Sequence, residues 1–234
     1  MSDGKKTTMN KDEFWHVIDD VNNKVGQGSQ EQFLQKFREK LLEYTSEAIR
    51  DWYAIFRFYY DKAYRNDLWA ACAATKSHSS DDGFIDFRYW LISKGRNMYF
   101  SAMNNPDSLA GFDIPAGSAQ FEVFGYEADN AYVIQCINES GIDKEKLIES
   151  GKRFDIWEEV NAHPFSSDVV SDLQSDITDR PDINDNWSYY NLKAVVPRLY
   201  AKYNDLSLSE KLESAKNRAD NEIDKSEADD VIKE

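Results

Sequence analysis

The 234-residue chain has little cysteine, glycine and proline. Its two cysteines, Cys72 and Cys136, are too few for a disulfide framework or a four-cysteine zinc site. Each lies in an apolar segment, which predicts two reduced thiols in the core. Ten glycines and five prolines are too few turn residues for a protein of many short strands, so helices are favoured.

Long apolar runs and an excess of positive charge are also missing. No stretch approaches 18 uncharged apolar residues, and no apolar segment follows the first lysines, so we expect neither a transmembrane helix nor a signal peptide. These absences favour a cytoplasmic protein. The formal net charge of −15 disfavours nucleic-acid and membrane partners, because both demand a basic surface. An acidic surface suits solubility, or a basic protein partner met by electrostatic steering.

Sequence motifs of common catalytic and cofactor sites are absent too. The chain has no P-loop, G-x-G-x-x-G, H-E-x-x-H or G-x-S-x-G segment, and its three histidines are far apart. We therefore expect no cofactor, and the pattern favours a protein that is not an enzyme.

Apolar residues at helical spacing dominate what is present. Hydrophobic residues make up 41% and aromatic residues 14% of the chain, which predicts a packed globular body. The spacing predicts an all-α fold of about five main helices, beginning near residues 10, 29, 45, 80 and 118. The third, running to about residue 71, carries the broadest apolar stripe and is predicted to be central. The fourth is predicted to run to about residue 103.

Composition divides the chain into one folded domain and less ordered segments. We predict a disordered leader at residues 1–9, a helical domain at 10–204 and a charged tail at 205–234. Within the domain, residues 138–186 form an acidic, partly ordered insertion.

One arginine interrupts an apolar helical face. Phe84, Phe87 and Leu91 recur on one face of the fourth helix, and Arg88 falls inside that stripe. A buried guanidinium keeps its proton and therefore needs acidic or carbonyl partners. Asp82 and Asp86 lie on a neighbouring face of the same predicted helix, and Asp67 lies on the preceding helix.

Four segments resemble a known family. They are AYRNDLWAA (63–71), SDDGFIDFRYWLISKGR (80–96), NPDSLA (105–110) and VVPRLYAKY (195–203). These segments resemble the bacterial family catalogued as domain of unknown function 4240, over roughly residues 10–138 and the closing PRLYAKY. The resemblance implies a helical domain and supplies no activity or catalytic residue.

The charged and aromatic residues around Arg88 admit two interpretations. The candidate cluster is Tyr64, Arg65, Asp67, Trp69, Asp82, Asp86, Arg88 and Trp90. As a structural network, Arg88 would bridge Asp67 and Asp86 between two helices, while Asp82 caps backbone amides. As a binding site, the same charges would line a pocket rimmed by Tyr64, Trp69 and Trp90 that holds an anionic or sugar-like ligand.

A metal site is a weaker hypothesis. The candidate ligands are His78, Asp81, Asp82 and Asp86, an oxygen-rich set that suits magnesium or manganese. Two aspartates after a serine are already explained by helix capping, so we predict no metal site.

Net acidity and an aromatic core favour a small cytoplasmic binding or accessory protein. Such a protein would neutralise a basic partner, such as a toxin enzyme or a nuclease, in the manner of an immunity protein. The alternative is an enzyme or small-molecule-binding domain that uses Asp67, Asp82, Asp86 and Arg88.

Overall fold

The computed structural model describes residues 4–141, 146, 149–150, 153–177 and 191–204. Within these ranges the protein is helical and has no strand beyond an isolated bridge between Lys6 and Tyr44, which confirms the all-α prediction. The helices are α1 (Lys11–Val25), α2 (Gln30–Leu41), α3 (Ser46–Lys62), α4 (Asn66–Ala74), α5 (Asp81–Ser93), α6 (Arg96–Asn104), a 3-10 helix (Pro106–Gly111), α7 (Phe124–Ser140), α8 (Ile156–Ala162), α9 (Ser167–Ser175), α10 (Leu192–Val195) and α11 (Pro197–Asn204). None of these is long and apolar enough to cross a membrane.

Polar caps start the helices at positions visible in the sequence. The side chains of Asn10, Thr45 and Ser80 each accept a hydrogen bond from a first-turn backbone amide. Ser29 forms a reciprocal capping box with Gln32. These caps satisfy amides that have no partner within the helix, so local sequence sets where α1, α2, α3 and α5 begin.

Two predicted helices are broken in the structure. The third ends at Lys62 and resumes at Asn66, because Arg65 between them is extended (φ −138°, ψ 141°) and its guanidinium donates to the Met103 carbonyl at 2.8 Å. The fourth breaks at Gly95, whose φ is +90°. A Cβ there would lie 2.1 Å from Asp19 Oδ1, so only glycine allows this close approach of α1.

A single aromatic core joins the helices. Trp52, Phe56 and Tyr59 of α3 pack with Phe14 of α1 and Phe124 of α7. Helix α3 also contacts α5 and α8, as expected of a central helix. Both cysteines are free and buried, which confirms their assignment to the core.

Part of the chain before α1 and part of the predicted insertion contact this core. Within the predicted leader, Lys6 pairs through its backbone with Glu43 and Thr45, and residues 1–3 lie outside the described ranges. Helices α8 and α9 each bury one apolar side chain, Ile156 and Leu173. The remainder of the predicted insertion (142–145, 147–148, 151–152 and 178–186) and the predicted tail (205–234) lie outside the described residues.

Candidate functional site

Arg88 is buried between α3 and α5, as its place in the apolar stripe predicts. Its side chain is 5% exposed, and its guanidinium lies 3.8 Å from the centre of the Tyr60 ring. It donates hydrogen bonds to the Tyr60 hydroxyl at 2.6 Å, the Tyr60 carbonyl at 3.3 Å and the Phe84 carbonyl at 3.4 Å. Burial lowers the pKa of the Arg88 guanidinium from its ordinary value.

The predicted bridge from Arg88 to two aspartates is wrong. Asp67 pairs instead with Arg65, through Nε to Oδ1 at 3.0 Å and a second contact between Nη2 and Oδ2. Asp86 lies near other acidic groups. Burial, and then the proximity of Glu122 and Asp82, raise the pKa of its carboxyl. The partners of Arg88 are therefore a phenol and carbonyl oxygens, including one near the C-terminal end of α3.

The structure brings part of the predicted pocket rim together. The Arg88 guanidinium lies 4.9 Å from the centre of the Tyr64 ring, and Tyr64 lies 6.3 Å from Trp69 between ring centres. Trp69 also stacks on Phe84 at 4.7 Å. Trp90 packs in the core against Phe87, at 5.5 Å between ring centres. With the guanidinium buried and donating to oxygens of α3 and α5, the geometry favours a structural role for Arg88, with partners other than the predicted aspartates.

The weak metal candidates do not form a ligand set. Among the described residues, no group of three or more histidine, cysteine, aspartate or glutamate side chains is placed to hold a metal ion. Ser80 caps α5 by accepting from the Gly83 amide at 3.2 Å, so Asp82 is not the cap that the structural interpretation predicted. Asp81 and Asp82 are exposed in the first turn of α5, where the helix dipole favours carboxylates.

A different surface brings polar and aromatic groups together. Five tyrosines of α3, α5, α7 and the turn after α3 lie on one side of the protein with four carboxylates that act on them or on one another. None of these residues is fully buried. We call this surface the tyrosine–carboxylate face; its residues are Tyr53, Tyr60, Tyr64, Tyr89, Tyr126, Asp61, Asp86, Glu122 and Asp129. Tyr64 and Tyr126 are the most exposed, at 63% and 57%.

Stacked rings hold the middle of this face rigid. Tyr60 and Tyr89 stack at 4.9 Å between ring centres. The buried Phe56 lies beneath them and contacts Tyr60 at 6.2 Å and Tyr89 at 5.7 Å. Tyr53 also stacks on Phe56, at 6.0 Å between ring centres. The three stacked phenol rings are therefore held in place by packing between two helices, α3 and α5.

Partial burial shapes the acid–base properties of the face. It raises the pKa of the Tyr53, Tyr60 and Tyr89 hydroxyls, so all three remain protonated donors at neutral pH. Proximity to Tyr60, Tyr126 and Tyr53 raises the pKa of Tyr89 further. Burial is also the main cause of the raised pKa of the Asp86 and Asp129 carboxyls. The face thus presents neutral phenols next to partly desolvated acids.

Sequence reasoning missed this surface because it assigned the α3 aromatics to the core. The wide apolar stripe of α3 includes Phe56, which is buried, and Tyr53 and Tyr60, which are half-buried at its edge. The sequence signal for this surface is tyrosine at positions where phenylalanine or leucine would be expected in a core. A phenol suits a position where the ring is buried and the hydroxyl reaches water.

Comparison with known proteins places the chain in a family. Searches of curated proteins and of solved structures found no match. The family model described as "Protein of unknown function (DUF4240)" matches residues 9–133. That range is more than half of the chain and contains every residue of the tyrosine–carboxylate face. The chain therefore belongs to this family, Protein of unknown function (DUF4240).

Proposed function

We propose that this protein is a binding module that presents the tyrosine–carboxylate face to a basic protein partner. The supporting observation is the arrangement of three tyrosines stacked around Phe56, with two more exposed tyrosines and four carboxylates nearby. Tyrosine provides a large contact area at low cost in side-chain entropy, and it is enriched among residues that dominate binding energy.

The chemistry of the face selects a partner rich in lysine and arginine. Carboxylates pair with ammonium and guanidinium groups, and phenol rings accept cations on their faces, as the Tyr60 ring accepts Arg88 within the protein. Burial, and then the nearby Glu122 and Asp82, raise the pKa of the Asp86 carboxyl, so a bound lysine or arginine would stabilise its ionised form. The net charge of −15 would speed association with such a partner.

The biological role that fits this surface is accessory or neutralising, like that of an immunity protein. A rigid acidic face can cover the basic cleft of a partner enzyme and exclude its negatively charged substrate. The small-molecule alternative around Arg88 is less favoured, because the guanidinium is sealed and already donates to three oxygens.

A defined peptide probe tests the location and charge preference of the face. We expect a Lys/Arg-rich dodecapeptide, titrated into labelled protein, to shift the NMR signals of Tyr60, Tyr89 and Tyr126 first. A peptide with glutamine at every basic position should shift none of them. Shifts spread evenly over all acidic surfaces would contradict a specific binding face.

Photo-crosslinking in lysate of the source cell tests for a physiological partner. A photoreactive residue at position 126 should capture a basic protein, and capture should fall with added salt. Position 170 on α9 is a matched control, because Val170 is an exposed apolar residue far from the face in sequence. For the captured partner in purified form, Tyr126→Ala should weaken binding about tenfold or more, and Val170→Ala should leave it unchanged. Equal capture at both positions would reject the proposal.

A further inference from the structure

The outer side of α7 is apolar although it is exposed. Val123, Tyr126, Asn130, Ile134 and Ile137 follow one another at intervals of three or four residues, which places them on one side of a helix. Val123 directly precedes α7 and has helical dihedral angles (φ −62°, ψ −24°), so it continues this row. We call these five residues the α7 strip.

The α7 strip concentrates exposed apolar surface. Val123 is 54%, Tyr126 57% and Ile134 36% exposed. The described part of the chain has seven exposed large apolar side chains, and three of them lie in this one strip rather than being scattered over the surface. Contiguous apolar surface of this kind is typical of an interaction site.

The other side of α7 is already packed in the core. Phe124, Ala128 and Ala131 are at most 1% exposed, and α7 contacts both α2 and α3. A surface helix is apolar on one side only, whereas a helix that is apolar all round is normally covered all round. Helix α7 therefore has the sequence of a helix that is covered on both sides, and among the described residues only its inner side is covered.

Acidic groups lie along one edge of the α7 strip. Glu122 and Asp129 are seven residues apart, or about two helical turns, so both lie on the same edge. Asp129 accepts a hydrogen bond from the backbone N–H of Ile156, the first residue of α8. Asp155 caps α8 beside it. The charge along this edge is therefore negative.

The charges around the strip select its occupant. On the α2 side, Arg38 pairs with the buried Glu127 at 3.0 Å, and these two charges neutralise each other. A second copy of the chain would bring its own net charge of −15 and a second set of acids to the strip, which opposes pairing of two copies. Lysine and arginine side chains would instead pair with the carboxylates of the acidic edge.

The length and spacing of the strip match a helix. From residue 123 to residue 137 the strip is about 21 Å long, so about four turns of a second helix would lie along it. Helices pack through rows of side chains three and four residues apart, which is the spacing of the strip. The strip is continuous with the tyrosine–carboxylate face, because Tyr126 belongs to both and Glu122 and Asp129 border the strip.

We infer that the partner of the tyrosine–carboxylate face binds through a basic amphipathic helix that lies along the α7 strip. The apolar side of this helix contacts Val123, Tyr126 and Ile134, and its lysines and arginines reach Asp129 and Asp155. The basic character of the partner rests on the proposed function, whereas the helical form of its binding segment rests on the strip.

Three designed peptides of about 18 residues test this inference on the full-length protein. The first has leucine at helical spacing and lysine elsewhere, the second has the same composition without helical amphipathicity, and the third has glutamate in place of every lysine of the first. We expect the first to become helical by circular dichroism and to shift the NMR signals of Val123, Tyr126 and Ile134. The second and third should each bind at least tenfold more weakly, and equal binding of either would show that the inference is wrong.

Substitutions in the strip locate the binding site. Val123→Ala combined with Ile134→Ala should weaken binding of the first peptide about tenfold or more, because both changes truncate exposed apolar contacts and leave the core intact. Val169→Ala combined with Val170→Ala, at exposed positions on α9, is the matched control and should leave the affinity unchanged. Equal affinities of the two double variants would overturn the assignment.

The positions of the NMR shifts separate this inference from the proposed function. If the first peptide shifts Tyr60 and Tyr89 but neither Val123 nor Ile134, the helix inference is wrong and the basic-protein face stands. If it shifts the strip while the Lys/Arg-rich dodecapeptide leaves Tyr60 and Tyr89 unchanged, the helix site stands and the proposed face is wrong.

The free protein provides a further test of the occupant. Sedimentation equilibrium should give the mass of one chain, and the methyl groups of Val123 and Ile134 should show no nuclear Overhauser contacts to residues 142–152 or 178–234. A dimer that dissociates in the Val123→Ala, Ile134→Ala variant would assign the strip to a second copy. Contacts to either segment would assign it to the chain itself, and each of these results would overturn the inference.

Discussion

Asp107 caps the helix that contains Leu199, although the two residues are 92 positions apart in the chain: its Oδ1 accepts the Leu199 backbone N–H at 2.8 Å. Its Oδ2 accepts the neighbouring Arg198 amide at 3.2 Å. Helix α11 begins at Pro197, and the preceding Val196 has no side chain that can cap it. Asp107 of the 3-10 helix therefore provides the N-terminal cap of α11 that the residue before this helix cannot provide.

Asp107→Ala should lower the free energy of unfolding by about 1–2 kcal/mol, because two amides at the start of α11 lose their acceptor in a mostly buried site. Urea denaturation measures the loss. Amide hydrogen exchange should accelerate at Leu199 more than in α3, since the lost bonds belong to α11.

Asp107→Asn keeps the size of the side chain and removes one of its two acceptor oxygens, so it tests the hydrogen bonds of the cap apart from side-chain packing. Asparagine keeps one acceptor oxygen and should cost less than alanine. Slow exchange at Leu199 in the alanine variant would show that α11 does not depend on this cap.

Arg88→Met should lower the free energy of unfolding by about 1–3 kcal/mol, because the Tyr60 carbonyl near the end of α3 loses a buried donor. Arg88→Lys should not restore stability, since an ammonium lacks the planar fork that reaches the Tyr60 hydroxyl and two carbonyls together. Chemical denaturation of both variants gives the comparison. If Arg88→Met is as stable as the parent, the desolvation penalty of the buried charge equals the stabilisation that its hydrogen bonds provide.

The sequence specifies helix starts better than helix breaks. Ser29, Thr45 and Ser80 cap through their own side chains, so the beginnings of three helices can be predicted locally. The break at Gly95 depends on the close approach of Asp19, 76 positions earlier, which no local pattern encodes. Gly95 instead fits the apolar spacing of a continuous helix, and this is why one helix was predicted there.

The candidate site, like the helix boundaries, is predictable from the sequence only where it depends on local pattern. Burial of Arg88 is predictable from its place in an apolar stripe, but its partners are not, because backbone carbonyls at a helix end leave no residue-type signature. Contacts between distant segments are harder still: Asp176, from the predicted insertion, lies 3.5 Å from the Arg96 guanidinium of α6, and no local pattern indicates this ion pair. The broad apolar stripe of α3 does not separate the half-buried Tyr53 and Tyr60 from the buried aromatics, because both groups share one helical spacing.

Gly125→Ala should destabilise the protein, although alanine normally favours a helix. Gly125 lies in α7, and a Cβ there would be 2.5 Å from Cε2 and Cζ of Tyr89, so the ring that anchors the tyrosine–carboxylate face would have to move. Overpacking of this kind costs about 1–3 kcal/mol. Thermal unfolding measures the loss, and peptide binding at the face should weaken in parallel.

Gly111→Ala is the matched control for this substitution. A Cβ at Gly111 meets nothing within 4 Å, so stability and peptide binding should both stay close to those of the parent. If Gly125→Ala is as stable as Gly111→Ala, the contact with Tyr89 is not a constraint.

Asp86→Asn should stabilise the protein at neutral pH and weaken its binding to a basic partner. Burial, Glu122 and Asp82 raise the pKa of Asp86 above its ordinary 3.8, so the folded state binds this proton more tightly than the unfolded state does. The unfavourable contribution of the ionised carboxylate is therefore absent below pH 3.8 and complete above the raised pKa. We expect Asp86→Asn to raise the free energy of unfolding by up to about 0.5 kcal/mol at pH 7, and this gain should disappear as the pH falls through this window.

Carboxyl NMR titration checks the contribution of the neighbouring acid, because Glu122→Gln should bring the pKa of Asp86 back toward 3.8. A titration of the parent protein that places the pKa of Asp86 below 3.8 would contradict this account, since the acids of the face would then already have a cation nearby.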